Sequence, residues 1–216
     1  MAVKRAYGGE DKHARREAIL AAAAALFGDG RGDLPTAHAI AQASGLAKGT
    51  VYLYFSSKEA IFSALLVNGW GGVVGLVERA FAPSAQADKA DPAAAFLAAY
   101  VAHLDGHREL LRLDALRPVL EHGLDLASLA DFKRTFVDRL VAGGALIDQR
   151  LGLCEGSGVK LLTRTHALTC GLWQSLGVEL LDDTAKVALA GAFHPDFIDE
   201  LTEALAEYWR GALMAA

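Results

Sequence analysis

Apolar residues recur through this chain at helical spacing, and that periodicity leaves little room for any other backbone. Ile19, Ala22, Ala23, Leu26 and Phe27 fall at the i, i+3, i+4, i+7 positions that line one face of a helix. The strict apolar/polar alternation of a half-buried strand is almost absent. Hydrophobic residues make up 53% of the sequence, and much of that share is Ala and Leu, both strong helix formers. The expected class is therefore all-α. With 216 residues the chain can bury a sizeable core, either as one large domain or as a small one packed on a larger.

Capping and breaking residues divide the pattern. A polar arm over residues 1–10, bearing Gly8 and Gly9, precedes a first helix from about Lys12 to Phe27, and Gly28, Gly30 and Gly32 end it. Leu34-Pro35-Thr36 reads as a helix entry with the Thr36 hydroxyl as cap, opening a short helix from Ala37 to Ser44. Gly45 stops that helix, Lys48 to Phe55 allows two further turns, and Ser56-Ser57 caps a long helix from Lys58 to about Phe81. Pro83 to Pro92 is the clearest linker. Beyond it the expected helices are Pro92–His103, Arg108–His122, Leu126–Leu151, Val159–Leu181 and Pro195–Leu213. The expected domains are 1–57 and 58–216, joined through the helix that starts near Lys58.

Net charge is −5, which by itself disfavours a polyanionic partner. The charge is unevenly placed. Residues 1–60 carry eight basic side chains (Lys4, Arg5, Lys12, Arg15, Arg16, Arg31, Lys48, Lys58) against six acidic ones, so the acidic excess lies in the rest. That asymmetry fits a nucleic-acid-facing N-terminus on an acidic body. Cys154 and Cys170 form neither a CxxC nor a Cys/His sequence cluster, so no disulfide framework or structural zinc site is expected. No signal-peptide pattern opens the chain, and no uninterrupted apolar run suggests a bilayer span. The expected location is the cytoplasm.

The stretch from Thr36 to Glu59 carries the functional signal. Two short helices joined by a tight glycine turn satisfy helix-turn-helix packing, with Ala41 at their crossing and Ile40, Leu46 and Val51 as core. The second helix offers Lys48, Thr50, Tyr52 and Tyr54 outward, while Gly49 removes a side chain where a duplex backbone can approach. Lys48 supplies charge to phosphate, and the tyrosine hydroxyls can donate to phosphate. Thr50 can reach either a phosphate or a base edge. Phe55 belongs to the core.

These same residues resemble a known family. Ile40-Ala41, Ser44-Gly45-Leu46, Lys48-Gly49-Thr50-Val51-Tyr52, Tyr54-Phe55 and Lys58-Glu59, after an opening helix ending in Leu26-Phe27, are similar to the DNA-binding signature of the TetR family of transcriptional regulators. The likeness spans about Arg16 to Leu65. It implies operator contacts from Thr36, Lys48, Thr50, Tyr52 and Lys58, and with His38, Ala47, Gly49 and Tyr54 these form the candidate DNA-binding set. Two departures stand out: the segment from Gly30 to Thr36 lacks the usual aromatic and is one residue longer, and His38 stands where many relatives place a basic or polar contact. The resemblance further implies a homodimer on near-palindromic double-stranded operator DNA, repressing until a small-molecule effector releases it. It implies that the last two long helices pair with their copies, for which Leu172, Leu176 and Leu180 make a ridge beside Gly171.

The C-terminal body carries no comparable motif. Trp70, Tyr100, Phe132, Phe136 and Trp173 suit either plain core or the wall of a pocket for a mainly apolar effector, with His103, His107 and Arg112 as orienting polar groups. His103 and His107 have metal-pair spacing, but Gly106 interrupts the helix and no third ligand is set by spacing, so no metal is expected. Nothing suggests a cofactor. No P-loop, GxGxxG, HExxH or nucleophile pattern suggests an enzyme. The alternative reading is a helical protein-interaction module without ligand sensing, which leaves the Thr36–Glu59 motif unexplained.

Overall fold

A computed structural model describes residues 3–29, 33–82, 91–176 and 196–215, which are mostly helical and, among the described residues, contain no strand. The helices are α1 (Val3–Asp29), α2 (Ala37–Ala43), α3 (Lys48–Tyr54), α4 (Lys58–Phe81), α5 (Pro92–Asp105), α6 (Arg108–Ala115), α7 (Arg117–His122), α8 (Leu126–Leu151), α9 (Ser157–Leu176) and α10 (Phe197–Met214). The all-α expectation holds. Most boundaries of the described helices fall within two residues of the sequence reading, and two elements depart further. The glycine-bearing arm is helical from Val3, because extending an already nucleated helix gains a hydrogen bond per residue and each glycine subtracts only about 1 kcal/mol. The single helix expected over Arg108–His122 is broken at Leu116, since Pro118 lacks an amide hydrogen and its ring would collide with the preceding turn.

The chain forms two compact units: residues 1–68 with 116–132, and residues 69–115 with 133–216. In the first, α1 packs on α2 and α2 on α3 around Ile19, Leu20, Ala23, Phe27, Ile40, Ala41 and Val51, all buried. Each large apolar side chain removed from water contributes roughly 1.5–3 kcal/mol. Phe27 and Phe62 meet with ring centroids 5.8 Å apart. Leu46, expected in this core, is half-buried. The turn after α7 is held at the start of α4, where Ser57 Oγ donates to the Gly123 carbonyl at 3.3 Å and a methyl group at position 123 would overlap the Glu59 side chain.

The second unit is organised by aromatic rings. Phe96 lies 5.4 Å from Trp209, 5.7 Å from Phe81 and 5.7 Å from Tyr100, so α4, α5 and α10 share one core. Two polar pairs lie inside it: Trp209 Nε1 donates to Thr165 Oγ1 at 2.8 Å, and the Tyr100 and Thr169 hydroxyls are 2.9 Å apart. Burial pushes the Tyr100 phenol well above its ordinary range, so it stays neutral. At the α8–α9 turn, Asp148 accepts from the Gly156 and Gly158 amides at 2.8 and 2.6 Å, while Gly144 and Gly158 bring the two backbones into contact.

One helix departs from the expectation that nothing suits a bilayer: α4 is long and apolar enough, by length and composition, to cross one. Seven of its apolar side chains are buried within the chain. Ile61, Phe62 and Leu66 are buried in the first unit, and Trp70, Leu76, Val77 and Phe81 in the second.

Candidate nucleic-acid interface

The geometry of the Thr36–Glu59 segment is set by local chemistry. Thr36 is extended (φ −72°, ψ 152°), and its Oγ1 accepts from the Ala39 amide at 3.2 Å, fixing the start of α2. Gly45 takes φ +69°, a left-handed conformation that a side chain would strain, and the Leu46 amide closes the turn on the Ala41 carbonyl at 3.0 Å. Ser57 Oγ accepts from the Ala60 amide at 3.1 Å and starts α4. Two local caps and one glycine therefore aim α3.

On α3, Val51 and the following Phe55 point inward, and Arg16 of α1 lies 5.2 Å from the centre of the Phe55 ring. Lys48, Gly49 and Tyr52 face outward, with Lys48 Nζ 5.9 Å from the centre of the Tyr52 ring. A side chain at Gly49 would meet only open space. Thr50 and Tyr54 are half-buried, Ala47 is exposed and provides no side-chain cap, and His38 is exposed on α2. Thr36, His38, Lys48, Tyr52 and Lys58 converge on one concavity of about 330 Å³, completed by Ala37, Ser56, Ser57 and Glu59. Lys58 stands 4.0 Å from Glu59, at the limit of an ion pair.

Sequence reasoning missed Leu53, which is 81% exposed on α3. Its i+3 relation to Thr50 was the signal available.

The candidate effector residues do not form one group. Phe132 belongs to the first unit, where the Arg117 guanidinium lies 5.7 Å from its ring centre. Tyr100 is part of the aromatic core, and Trp173 meets Phe197 edge-on at 5.1 Å. Phe136 and Arg112 are half-buried. His103 and His107 do come together, with ring centroids 4.3 Å apart, and His103 packs over Gly72. Burial, then the charges of His107 and Arg79, hold His103 below its ordinary range, while Glu109 opposes them. Of the proposed dimer ridge, Leu172 and Leu176 are on α9 and both half-buried, and Leu180 lies outside the described residues.

Sequence reasoning also missed a polar cluster in the second unit. Buried Asp114, at the end of α6, accepts from Trp70 Nε1 at 3.1 Å with its Oδ2, and the same oxygen lies 2.6 Å from His166 Nε2. Cys170 Sγ is 3.4 Å from both Asp114 Oδ2 and His166 Nε2. A nucleophile relay needs the acid on one imidazole nitrogen and the nucleophile on the other. Here both meet Nε2, so the three groups converge on a point rather than form a relay.

Comparison with known proteins agrees with this architecture. A family model described as "Tetracyclin repressor-like, C-terminal domain" matches residues 73–216, most of the chain, and one described as "Bacterial regulatory proteins, tetR family" matches residues 19–65. No curated protein matches. Among solved structures, a TetR transcriptional regulator from Rhodococcus sp. RHA1 is similar at 22% identity and a TM-score of 0.54, over 91% of this chain and 94% of that one. FadR from Bacillus subtilis, solved in complex with stearoyl-CoA, aligns at 21% identity and a TM-score of 0.49, over 88% and 96%.

Proposed function

This chain belongs to the tetR family of bacterial regulatory proteins, and from that premise we propose that it is a non-enzymatic cytoplasmic repressor whose homodimer binds a near-palindromic operator and is released by a small, mainly apolar effector. The observation that carries the DNA-binding reading is the convergence of Thr36, His38, Lys48, Tyr52 and Lys58 on one concave surface beside the exposed face of α3. Two lysines, two hydroxyl donors and an imidazole supply the donors and charge that a phosphate backbone takes up. Gly49 lets the duplex come close. Leu53, alone among the exposed residues of α3 in being aliphatic, has the chemistry to contact a thymine methyl in the major groove.

Release by effector requires that the effector bind the DNA-incompetent arrangement better than the competent one. A coupling of about 1–3 kcal/mol is the usual range. Trp70, Tyr100, His103, His107, Arg112, Phe136 and Trp173 are the second-unit candidates to meet such a molecule, and Phe132 the first-unit one. A hydrophobic compound that is an effector raises the melting temperature and lowers operator affinity together.

The deciding experiment is selection of bound sequences from a random duplex pool with the full-length protein, followed by salt titration of the winning site. The expected result is a near-palindrome bound by a dimer. Replacing Lys48 by Ala should flatten the salt slope by roughly 0.9 for each phosphate no longer neutralised, uniformly across sequences, whereas Leu53→Ala should alter base preference. Recovery of no consensus, with salt-independent binding, would overturn the reading.

A further inference from the structure

The cluster of Asp114, His166 and Cys170 has no part in the proposed DNA and effector chemistry, and its donor set is specific. We propose that Asp114 Oδ2, His166 Nε2 and Cys170 Sγ form a binding site for a divalent transition-metal ion of the Zn²⁺ class. The three donor atoms come from one carboxylate, one imidazole and one thiol, all within 4.8 Å of one another. His166 and Cys170 are one helical turn apart on α9 and so share a face, and Asp114 reaches the same point from α6.

The donor geometry is close to what an ion requires. Zinc bond lengths of about 2.0–2.3 Å in a tetrahedral arrangement place donor atoms about 3.3–3.6 Å apart. Both edges involving Cys170 measure 3.4 Å. The 2.6 Å edge between Asp114 and His166 is that of a hydrogen bond, and it opens by about 0.7 Å when the ion takes the place of the shared proton.

The donor set selects the ion. A thiolate beside an imidazole suits Zn²⁺ and its neighbours, whereas Ca²⁺ and Mg²⁺ require mostly oxygen ligands. Three protein ligands leave a fourth position for water or a further ligand. Trp70 Nε1 already holds the carboxylate oxygen at 3.1 Å, the kind of outer hydrogen bond that orients a ligating carboxylate. The His166 side chain is 35% exposed, which gives the ion a path from solvent while the Asp114 side chain, at 2%, stays fixed in the interior. On binding, the Cys170 thiol proton leaves to solvent and the thiolate bonds the metal; no electron is transferred.

The test is titration of the full-length, reduced protein with Co²⁺, which reports thiolate coordination by a charge-transfer band, and with Zn²⁺ as competitor. Cys154 is exposed and is the other thiol that can bind metal, so the experiment is run in Cys154→Ser as well as in the natural chain. The expected result is one equivalent of Co²⁺ per chain with the band intact in Cys154→Ser, displaced by Zn²⁺, and lost in Cys170→Ser and His166→Gln. Trp70→Phe should weaken the affinity by roughly 10–100-fold without abolishing the band. Zinc should also raise the melting temperature of Cys154→Ser but not of Cys170→Ser, a readout that stays valid if a ligand variant is less stable. A band that follows Cys154, or no binding by a folded Cys154→Ser protein, would overturn the proposal and leave a hydrogen-bonded cluster only. DNA binding enters neither outcome, so the metal site and the repressor reading stand or fall separately.

Discussion

Trp70 Nε1 and Asp114 Oδ2 are joined by a 3.1 Å hydrogen bond between two buried side chains separated by 44 positions in sequence. The bond ties α4 to the end of α6 inside the second unit. A buried carboxylate is costly unless donors surround it, and the indole is one of its donors. Removing that donor while keeping an aromatic ring isolates the effect. Trp70→Phe should destabilise the metal-free protein by about 1–3 kcal/mol in urea unfolding. A double-mutant cycle with Asp114→Asn separates the bond from the change in ring packing, and a coupling energy near zero would show that packing alone accounts for the loss.

Thr36 has two roles that its substitutions can separate. Its hydroxyl caps α2 by accepting from the Ala39 amide, and the same side chain lines the candidate DNA-binding concavity. Thr36→Ala should cost about 0.5–2 kcal/mol of stability, and Thr36→Ser should recover most of it. Operator affinity measured on both variants, at a temperature where each is folded, then reports the contact: a hydroxyl that touches phosphate is kept in Ser and absent in Ala.

His103 gives a pH signature with a definite sign. Burial is the largest cause holding it below its ordinary value of 6.5, with the charges of His107 and Arg79 adding and Glu109 opposing. Below about 6.5 the unfolded chain takes up the proton first, so this residue's contribution to stability falls as pH drops from there toward its folded-state value. At higher pH it contributes no slope. The stability of the natural chain minus that of His103→Gln should therefore rise with pH up to about 6.5 and then level. A difference that is flat from mildly acidic to mildly basic pH would mean that His103 titrates alike in the two states.

The parts of this structure that are legible in sequence are those decided within a few residues. Thr36, Gly45 and Ser57 set the start of α2, the turn before α3 and the start of α4 by local chemistry, so these can be read directly, whereas of the four side chains expected to point outward from α3 Lys48 and Tyr52 are exposed and Thr50 and Tyr54 half-buried. Pro118 is equally local evidence, but the flanking leucines keep their periodicity through the break and mask it. Asp114 has no local signal, since it meets His166 and Cys170 across 52 and 56 residues. Only the i, i+4 spacing of His166 and Cys170 is visible. That Phe132 belongs to a different unit from the other aromatics is likewise hidden, because helical periodicity reports which face is apolar and not which unit it serves.

Two glycines on α9 have opposite surroundings, and this supplies a test of assembly. A methyl at Gly158 would overlap the Gly144 carbonyl of α8, backbone against backbone, where no flexible side chain can yield. Gly158→Ala should therefore lose stability by about 1–3 kcal/mol, the usual cost of overpacking. A methyl at Gly171 meets nothing within 4 Å in a single chain. In an isolated chain Gly171→Ala should stabilise α9 by about 0.5–1 kcal/mol, because alanine loses less backbone entropy in a helix interior. The proposed dimer reverses that sign, since the space beside Gly171, next to Leu172 and near Leu176, is where the partner helix would pass. Sedimentation of Gly171→Ala across a concentration series should then show weaker self-association than the natural chain, even though the separated protomer is more stable. Unchanged association with raised stability would place Gly171 in solvent and move the two-fold interface away from the Leu172–Leu176 ridge.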